Sequence, residues 1–523
     1  MYKFIILKET RDKGTVRTVP LSPSPVLKPT PSSVFSIIPI LTEKYNKLFK
    51  KYIVYKILCY YNVRKKAKER YIMRVTQYAT GNLQDYKKYN LKPAVFMSGA
   101  VSVTPEKEPF SNDFLGFGVA ITGSSCYLLN EMPAKTRKEF LNSIYSKDGL
   151  GLSVGRISIG SSDYSAELYS YDDVTDDVEL KHFSIERDKE YIIPMIKEIL
   201  AINQDITLFA SPWSPPGWMK TGGSMCGGYM REEYIDCYAE YIVCFLKAYE
   251  AEGIKIKALT PQNEPNTEQV GKMPACVWHP DTEARFISIL RKKLTENGLD
   301  TEIWMFDHNF SAAESRVIWQ LDTHKHLADE CNGIAFHYYD GSIEQTRVLA
   351  EKYPNLALHY TEGGPRLYDN YATDWCKWSI MIAKVLGNGY SSFTGWNLML
   401  DESGGPNIGP FFCGGLVTLS SVTKELSYSG QYKALRHFAP FIKEKAKIHP
   451  LKFENSSYQC MFSYPKVGKP LEGVMLENTD GTEVLILVNQ NEGKRQAQYF
   501  KDNKWWYIEL LPNSVSTVVF EQS

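Results

Sequence analysis

From about residue 114 the chain alternates short apolar runs with longer amphipathic ones. Eight of the short runs read as buried strands: "FLGFGVAIT", "LGLSVGRISIG", "ITLFASPW", "IKIKALTPQNE", "TEIWMFDHN", "GIAFHYYD", "LALHYTEGG" and "YSSFTGWNLM". Between them, segments such as "EEYIDCYAEYIVCFLKAYEAEG" and "DTEARFISILRKKLTENG" carry apolar residues at helical spacing. The second has a Pro280–Asp281 start and a Gly298 stop. Eight strand–helix units predict a (β/α)8 TIM barrel of class α/β over residues 109–438. A doubly wound sheet is the competing arrangement, but no glycine-rich phosphate loop follows any strand. After about residue 440 the period shortens to strict alternation with Asp-Gly and Asn turns. "GVMLENTDGTEVLILVNQNEG", "KWWYIELLPNSVSTVVF" and the tyrosines between Tyr458 and Tyr464 predict an antiparallel β-sandwich over 439–523.

The first 72 residues follow neither pattern. "MYKFIILKET" is too short and too charged for a signal peptide. "VPLSPSPVLKPTPSS" has no core-forming periodicity. The segment from Lys44 to Arg70 then carries ten Lys and Arg. These residues are expected to be a non-native or disordered basic extension ahead of Met73, with a membrane-surface helix as the alternative.

Polar and aromatic residues collect at the strand ends, where a barrel of this kind presents its chemistry. Strand two ends at Arg156 with Asp163 beyond it, strand three at Trp213, and strand four at Asn263–Glu264. Strand five ends at Asp307–His308–Asn309, six at His337–Tyr338–Tyr339, seven at Glu362 and eight at Trp396–Asn397. Glu264 and Glu362 therefore face each other across the barrel mouth. Two carboxyls so placed can divide acid and nucleophile roles in glycoside hydrolysis, one protonated and the other ionised. Arg156 and the Tyr339 hydroxyl suit the ionised one. The competing use of His337, Asp307 and His308 is a metal site, although these three residues stand in neither HxH nor HExxH spacing.

Charge and composition narrow the partners. Sixty basic residues balance sixty acidic ones, and a balanced chain lacks the basic excess of a nucleic-acid binder. Ten cysteines stand singly without metal-like spacing, which predicts reduced thiols and a cytoplasmic location. No apolar run approaches a membrane span, so stable membrane insertion is not expected. Thirty-four Tyr and ten Trp, many near strand ends, suit stacking on sugar rings.

The blocks "GRISIGSSDYS", "ASPWSPPGWMKT", "LTPQNEPN", "FHYYD", "HYTEGG", "GWNLMLDESGGPN" and "YSGQYKALRHFAPFI" occur in an order that resembles glycoside hydrolase family 30, its glucosylceramidase-like members in particular. The resemblance runs from about residue 74 to the C-terminus. It implies that the sandwich takes its first strands from residues 73–108 and that the enzyme is a retaining β-glycosidase needing no cofactor. It assigns Glu264 as acid/base and Glu362 as nucleophile. Asn263 would bond the sugar 2-hydroxyl, while Asp163 and Trp213 would grip distal hydroxyls. Arg156, His337 and Tyr339 would surround the nucleophile, and Trp396 and Asn407 would line the sugar pocket. The substrate is expected to be a β-glucoside or β-glucan, with glucosylceramidase-like cleavage ahead of endo-β-1,6-glucanase action. A non-catalytic carbohydrate-binding protein is the alternative outside enzymology. Val119, Gly123, Tyr338 and the "DHN" run depart from the family pattern, and all border the sugar or aglycone region.

Overall fold

The computed structural model describes residues 73–110, 114–454 and 468–522. The basic extension and the Tyr458–Tyr464 spacing lie outside them. Eight parallel strands close a barrel in sequence order: Gly116–Ala120, Val154–Ile159, Thr207–Pro212, Ala258–Leu259, Glu302–Asn309, Gly333–His337, Ala357–Glu362 and Ser392–Gly395. The last returns to the first with Ser392 opposite Gly116. Every predicted strand run contains one of these strands.

The fourth strand is shorter than its alternating pattern predicts. Only Ala258–Leu259 form it, because the residues before it are still leaving the preceding helix: Gly253 turns the chain at φ +79° and Ile254 N–H bonds back to the Tyr249 carbonyl. Ile254 and Ile256 are buried nonetheless, so the alternation reports burial against the outer shell rather than ladder pairing. The helix Pro280–Glu296 starts at its predicted proline, which needs no N–H there. The preceding residue, His279, caps it by accepting from Asp281 N–H.

Below the mouth the barrel is filled rather than hollow. Val154, Phe209, Ala258, Trp304 and Ala335 pack inside it, and Trp304 stacks on His359 with ring centroids 3.6 Å apart. Catalytic groups are thereby confined to the C-terminal ends of the strands.

Ten further strands form a two-layered sheet beside the barrel. Met73–Gly81 pairs with Gln84–Asn90 and with the C-terminal Ser514–Gln522, so both ends of the described chain meet here. Lys447–Glu454 pairs first with Glu472–Glu477 and then with Val101–Pro105, crossing from one layer to the other. One pair departs from the expected antiparallel pattern: Arg495–Lys501 runs parallel to Val101–Pro105. Those strands come from distant parts of the chain, so no hairpin sets their direction.

The run Val484–Val488 shows how the sandwich is attached. All five side chains are buried. Leu485 and Leu487 face the core between the layers, with Trp506, Ile508, Val518 and Phe520, while Val484, Ile486 and Val488 join the barrel's outer core. A strand covered on both faces reads as a continuous apolar run, as this one does. Leu487→Ala should cost about 2–5 kcal/mol of unfolding free energy through the cavity left between the layers. Urea titration measures this, and whatever activity the barrel mouth carries should stay unchanged in the folded protein because Leu487 faces away from the barrel.

Candidate active site

Arg156 stands at the barrel mouth and is fully buried. Its Nε donates to Ser211 Oγ at 3.1 Å, and one terminal nitrogen donates to Asn263 Oδ1 at 2.8 Å and Asp307 Oδ2 at 2.9 Å. The other terminal nitrogen forms an ion pair with Glu362 Oε2. The Trp213 ring lies 4.7 Å from the guanidinium carbon and stacks on Trp396 at 5.2 Å. A flat, forked cation is needed to reach two carboxylates and an amide in fixed directions, which a lysine could not do.

Asp307 receives bonds from four further groups: Ser211 Oγ at 2.9 Å, Thr260 Oγ1 and Thr361 Oγ1 at 2.7 Å, and His337 Nε2 at 2.9 Å. Burial alone would push its carboxyl up, but the charges of Arg156 and His337 and the hydroxyl donors hold it far below the ordinary carboxylate range. Asp307 has φ +69° and is skipped by the ladder, which pairs Ala335 with Phe306 and then Phe336 with His308. A second bulge skips Thr361 between Tyr360 and Glu362. Each bulge resets the in–out alternation and turns an additional side chain inward. Thr361 and Glu362, adjacent in sequence, therefore both reach the interior network.

The two glutamates differ in their partners. Glu362 Oε1 accepts from the Tyr339 hydroxyl at 2.9 Å while Oε2 meets Arg156. Burial, with the Glu264 charge adding to it, lifts Glu362 above the ordinary carboxyl value against the pull of His337 and Arg156. Glu264 has φ +52°. Its Oε1 lies 3.0 Å from His337 Nδ1, its Oε2 accepts from the Gln269 amide, and His308 Nε2 lies 3.6 Å from Oε1. Burial pushes Glu264 up, but the charges of His308 and His337 and the His337 hydrogen bond bring it below its ordinary value. Burial would depress His337; the Glu362 and Asp307 charges and the hydrogen bonds to Asp307 and Glu264 raise it to about 9. The lowered Glu264 and the raised His337 both favour the proton of the Nδ1···Oε1 contact on His337.

Oxygen atoms of Glu264 and Glu362 and a ring nitrogen of His337 all lie within 4.8 Å of one another. That clustering could suggest a metal. Both His337 nitrogens are already engaged by Asp307 and Glu264, however, and Glu362 is paired with the Arg156 guanidinium, which supplies the cation here.

A cavity of about 620 Å³ opens above the pair and is lined by Asp163, Trp213, Asn263, Glu264, Tyr339, Glu362 and Trp396 from the sequence-derived set. Asp163 is 4% exposed, and its Oδ1 has no hydrogen-bond partner. Burial and the Glu362 and Glu264 charges raise its carboxyl well above the usual range. Arg156 and His337 lie beside the two glutamates and are buried beneath the cavity rather than lining it, Arg156 paired with Glu362 and His337 facing Glu264. Asn407 does not line it either. Its side chain accepts from Gly409 N–H and donates to the Phe411 carbonyl, holding the loop whose Pro410–Cys413 segment does line the cavity.

Sequence reasoning missed Gln269, Arg366 and the exposed rim formed by Tyr368, Phe411 and Phe412. These sit on irregular loops and carry no periodic signal. Of the departures from the family pattern, Tyr338 donates weakly to the Gly364 carbonyl at 3.4 Å, and Val119 is fully buried in the barrel shell.

The profile of the glycosyl hydrolase family 30 TIM-barrel domain matches residues 114–442. Putative glucosylceramidase 4 of Caenorhabditis elegans is 30% identical over 438 residues, covering 78% of this chain and 81% of that protein. An endo-1,6-beta-D-glucanase of Neurospora crassa is 28% identical over 421 residues, covering 77% and 84%. Among solved structures, the endo-beta1,6-glucanase BT3312 superposes with a TM-score of 0.73 at 29% identity, covering 85% of this chain and 99% of its own.

His337 gives the site a pH signature. Its folded-state value is raised, so the stability it contributes is complete below about pH 6.5, the unfolded value, and is lost as pH rises through about 9. Urea midpoints should fall across that window, and His337→Gln should flatten the fall. Equal slopes in the two proteins would show that His337 titrates as it does in the unfolded chain.

Proposed function

The chain belongs to glycoside hydrolase family 30, a family of retaining glycosidases, and on that premise we propose that it hydrolyses β-glucosidic bonds with Glu362 as nucleophile and Glu264 as acid/base. The observation that carries the assignment is the asymmetry of two close carboxyls. Their nearest oxygens lie within 4.8 Å, on the short side of the roughly 6.5–9.5 Å that an inverting pair needs for an intervening water. Glu362 is paired with Arg156 and accepts from Tyr339, contacts that favour its ionised form against the burial that raises it. Glu264 lies 3.0 Å from His337 Nδ1, which can pass it the proton it delivers.

In the first step Glu362 attacks the anomeric carbon. Glu264 protonates the departing oxygen while His337 keeps Nε2–H on Asp307. In the second step Glu264 takes a proton from water, which displaces Glu362 with net retention. Asn263, fixed by Arg156, meets the sugar 2-hydroxyl. Asp163 offers its unpartnered oxygen to the distal hydroxyls, over the floor formed by Trp213 and Trp396.

For the aglycone we favour glucosylceramidase-like cleavage, with endo-β-1,6-glucanase action as the second reading. The relatives named for each activity support both. The aromatic rim, with Tyr368 67% and Phe412 66% exposed, can cover a lipid chain or stack on a further sugar. Product analysis on glucosylceramide and on β-1,6-glucan separates the two. A reducing compartment is the setting we favour, supported by eight free cysteines among the described residues.

The division of labour is tested with leaving groups. Glu264→Ala should retain the first step for activated aryl β-glucosides, and azide should restore turnover as the β-azide. Glu362→Ala should abolish turnover for every leaving group, and a 2-fluoro glucoside should label Glu362 in the unsubstituted protein. A label on another carboxylate, or an α-configured first product by NMR, would sink the assignment.

Trp213→Ala should lower kcat/KM by about 10- to 100-fold, the scale of losing a well-placed binding surface. If Trp213 only filled the core, the melting temperature would drop while kcat/KM of the folded enzyme held.

A further inference from the structure

Asp188 is a carboxylate 1% exposed that takes no part in the cavity. Among the described residues no Lys, Arg or His lies within ion-pair distance of it. Three phenols meet it instead: Tyr169 donates to Oδ1 at 2.6 Å, Tyr171 to Oδ2 at 2.6 Å, and Tyr249 also to Oδ2. Burying a carboxyl without a cation is costly and raises Asp188 above its ordinary value, and the three phenol donors oppose that shift. An apolar residue among three phenylalanines would fill the same space without that cost. The arrangement is therefore informative about direction rather than packing, since a carboxyl that accepts from three phenols fixes where each phenol tip must point.

The cage joins two parts of the barrel face. Tyr169 and Tyr171 lie on the long excursion after the second strand, and Tyr249 lies on the helix Ile235–Ala251 after the third. Another tyrosine of that helix, Tyr241, accepts from Tyr171 N–H through its hydroxyl at 3.0 Å. Tyr169 in turn closes a small loop. Ser161 N–H and Oγ–H both donate to the Tyr169 carbonyl, at 3.0 and 2.9 Å, and Tyr169 N–H donates back to Ser161 Oγ at 3.0 Å. Asp163 sits inside that closure. Ser162 N–H donates to Ser165 Oγ and Tyr164 N–H to Ser162 Oγ around it, while its own side chain leaves Oδ1 without a partner. Nothing bonded to that oxygen fixes its direction; its backbone is held instead, by this loop and by Ile408 N–H, which donates to the Asp163 carbonyl at 2.8 Å.

We propose that Asp188 is a positioning residue for Asp163: by orienting Tyr169 and Tyr171 against Tyr249, it fixes the Ser161–Tyr169 loop that aims the Asp163 carboxyl into the sugar cavity. This rests on the reading of Asp163 as a sugar-binding group and adds a residue that never touches substrate.

A double-mutant cycle tests it on an activated aryl β-glucoside. Asp188→Asn keeps the volume but forces the amide NH2 against one of the phenols, and it should lower kcat/KM about tenfold, the scale of a small misplacement. Asp163→Ala should lower it further than that. In the Asp163→Ala background, Asp188→Asn should add less than a twofold loss, because there is no carboxyl left to aim. Losses that multiply would overturn the proposal, since they would mean that Asp188 acts on the fold at large. If Asp188→Asn does not fold, Tyr249→Phe removes a single donor and carries the same cycle. Unchanged kcat/KM in Asp163→Ala would overturn the proposal differently, by removing Asp163 from the site while leaving the two glutamates untouched.

Discussion

The ion pair between Arg156 and Asp307 sits where the strands converge, and each catalytic group is oriented by one of its two members. Arg156 holds Glu362 and Asn263, and Asp307 holds His337, which in turn meets Glu264. Each of these contacts depends on the others because none is exposed to water. Taking Arg156 away would leave Asp307 and Glu362 as close buried carboxylates without their shared cation, a state that protonation rather than packing would have to relieve. The network is thus both a structural necessity of a polar barrel mouth and the source of the difference between two otherwise identical side chains.

That difference arises from backbone geometry as much as from charge. Regular strands alternate, so a closed barrel with pleated strands would turn inward one residue in two. The bulges at Asp307 and Thr361 break that rule on the fifth and seventh strands, which flank the sixth, and the two bulged residues bond each other at 2.7 Å. Glu264 at φ +52° and Asp307 at φ +69° occupy the left-handed region without being glycine. Such conformations persist only where surrounding bonds over-determine them, as they do here. The rigidity that fixes the carboxyls is therefore supplied by the ladder beside them and by the packed barrel beneath.

The sandwich contributes from outside. Its barrel-facing layer packs against the helix Trp375–Gly387, whose Trp375 indole donates to the Asn513 carbonyl at 2.9 Å. That helix follows the strand bearing Glu362, so the two units share one hydrophobic face beside the nucleophile's strand. At the mouth the opposite principle holds. The loops are irregular, and their shape comes from buried polar contacts such as Asn407 to its own loop and Asp188 to three tyrosines.

How much of this was legible beforehand follows from the range of the interactions involved. Period and turn chemistry are local, so the eight strand runs, the capped helix at Pro280 and the alternating C-terminal segment could be read directly, as could the placement of Glu264 and Glu362 at strand ends. The fourth strand's length was misjudged because alternation records burial and cannot tell ladder pairing from packing on the outer shell. Asp307 stood in view as one more strand-end acid, but its part in the network depends on a bulge, and a bulge is a relation between two strands. Asn407 was placed in the pocket by the family resemblance of its block, while its amide turns back on its own loop. The amino-acid sequence by itself determined the barrel, its attached sandwich and the pair of carboxyls, because hydrophobic periodicity and residue type are properties of neighbours along the chain. Only the tertiary structure decided which carboxyl meets a guanidinium and which faces a histidine, because those partners arrive from other strands and their charges act only after folding has excluded water.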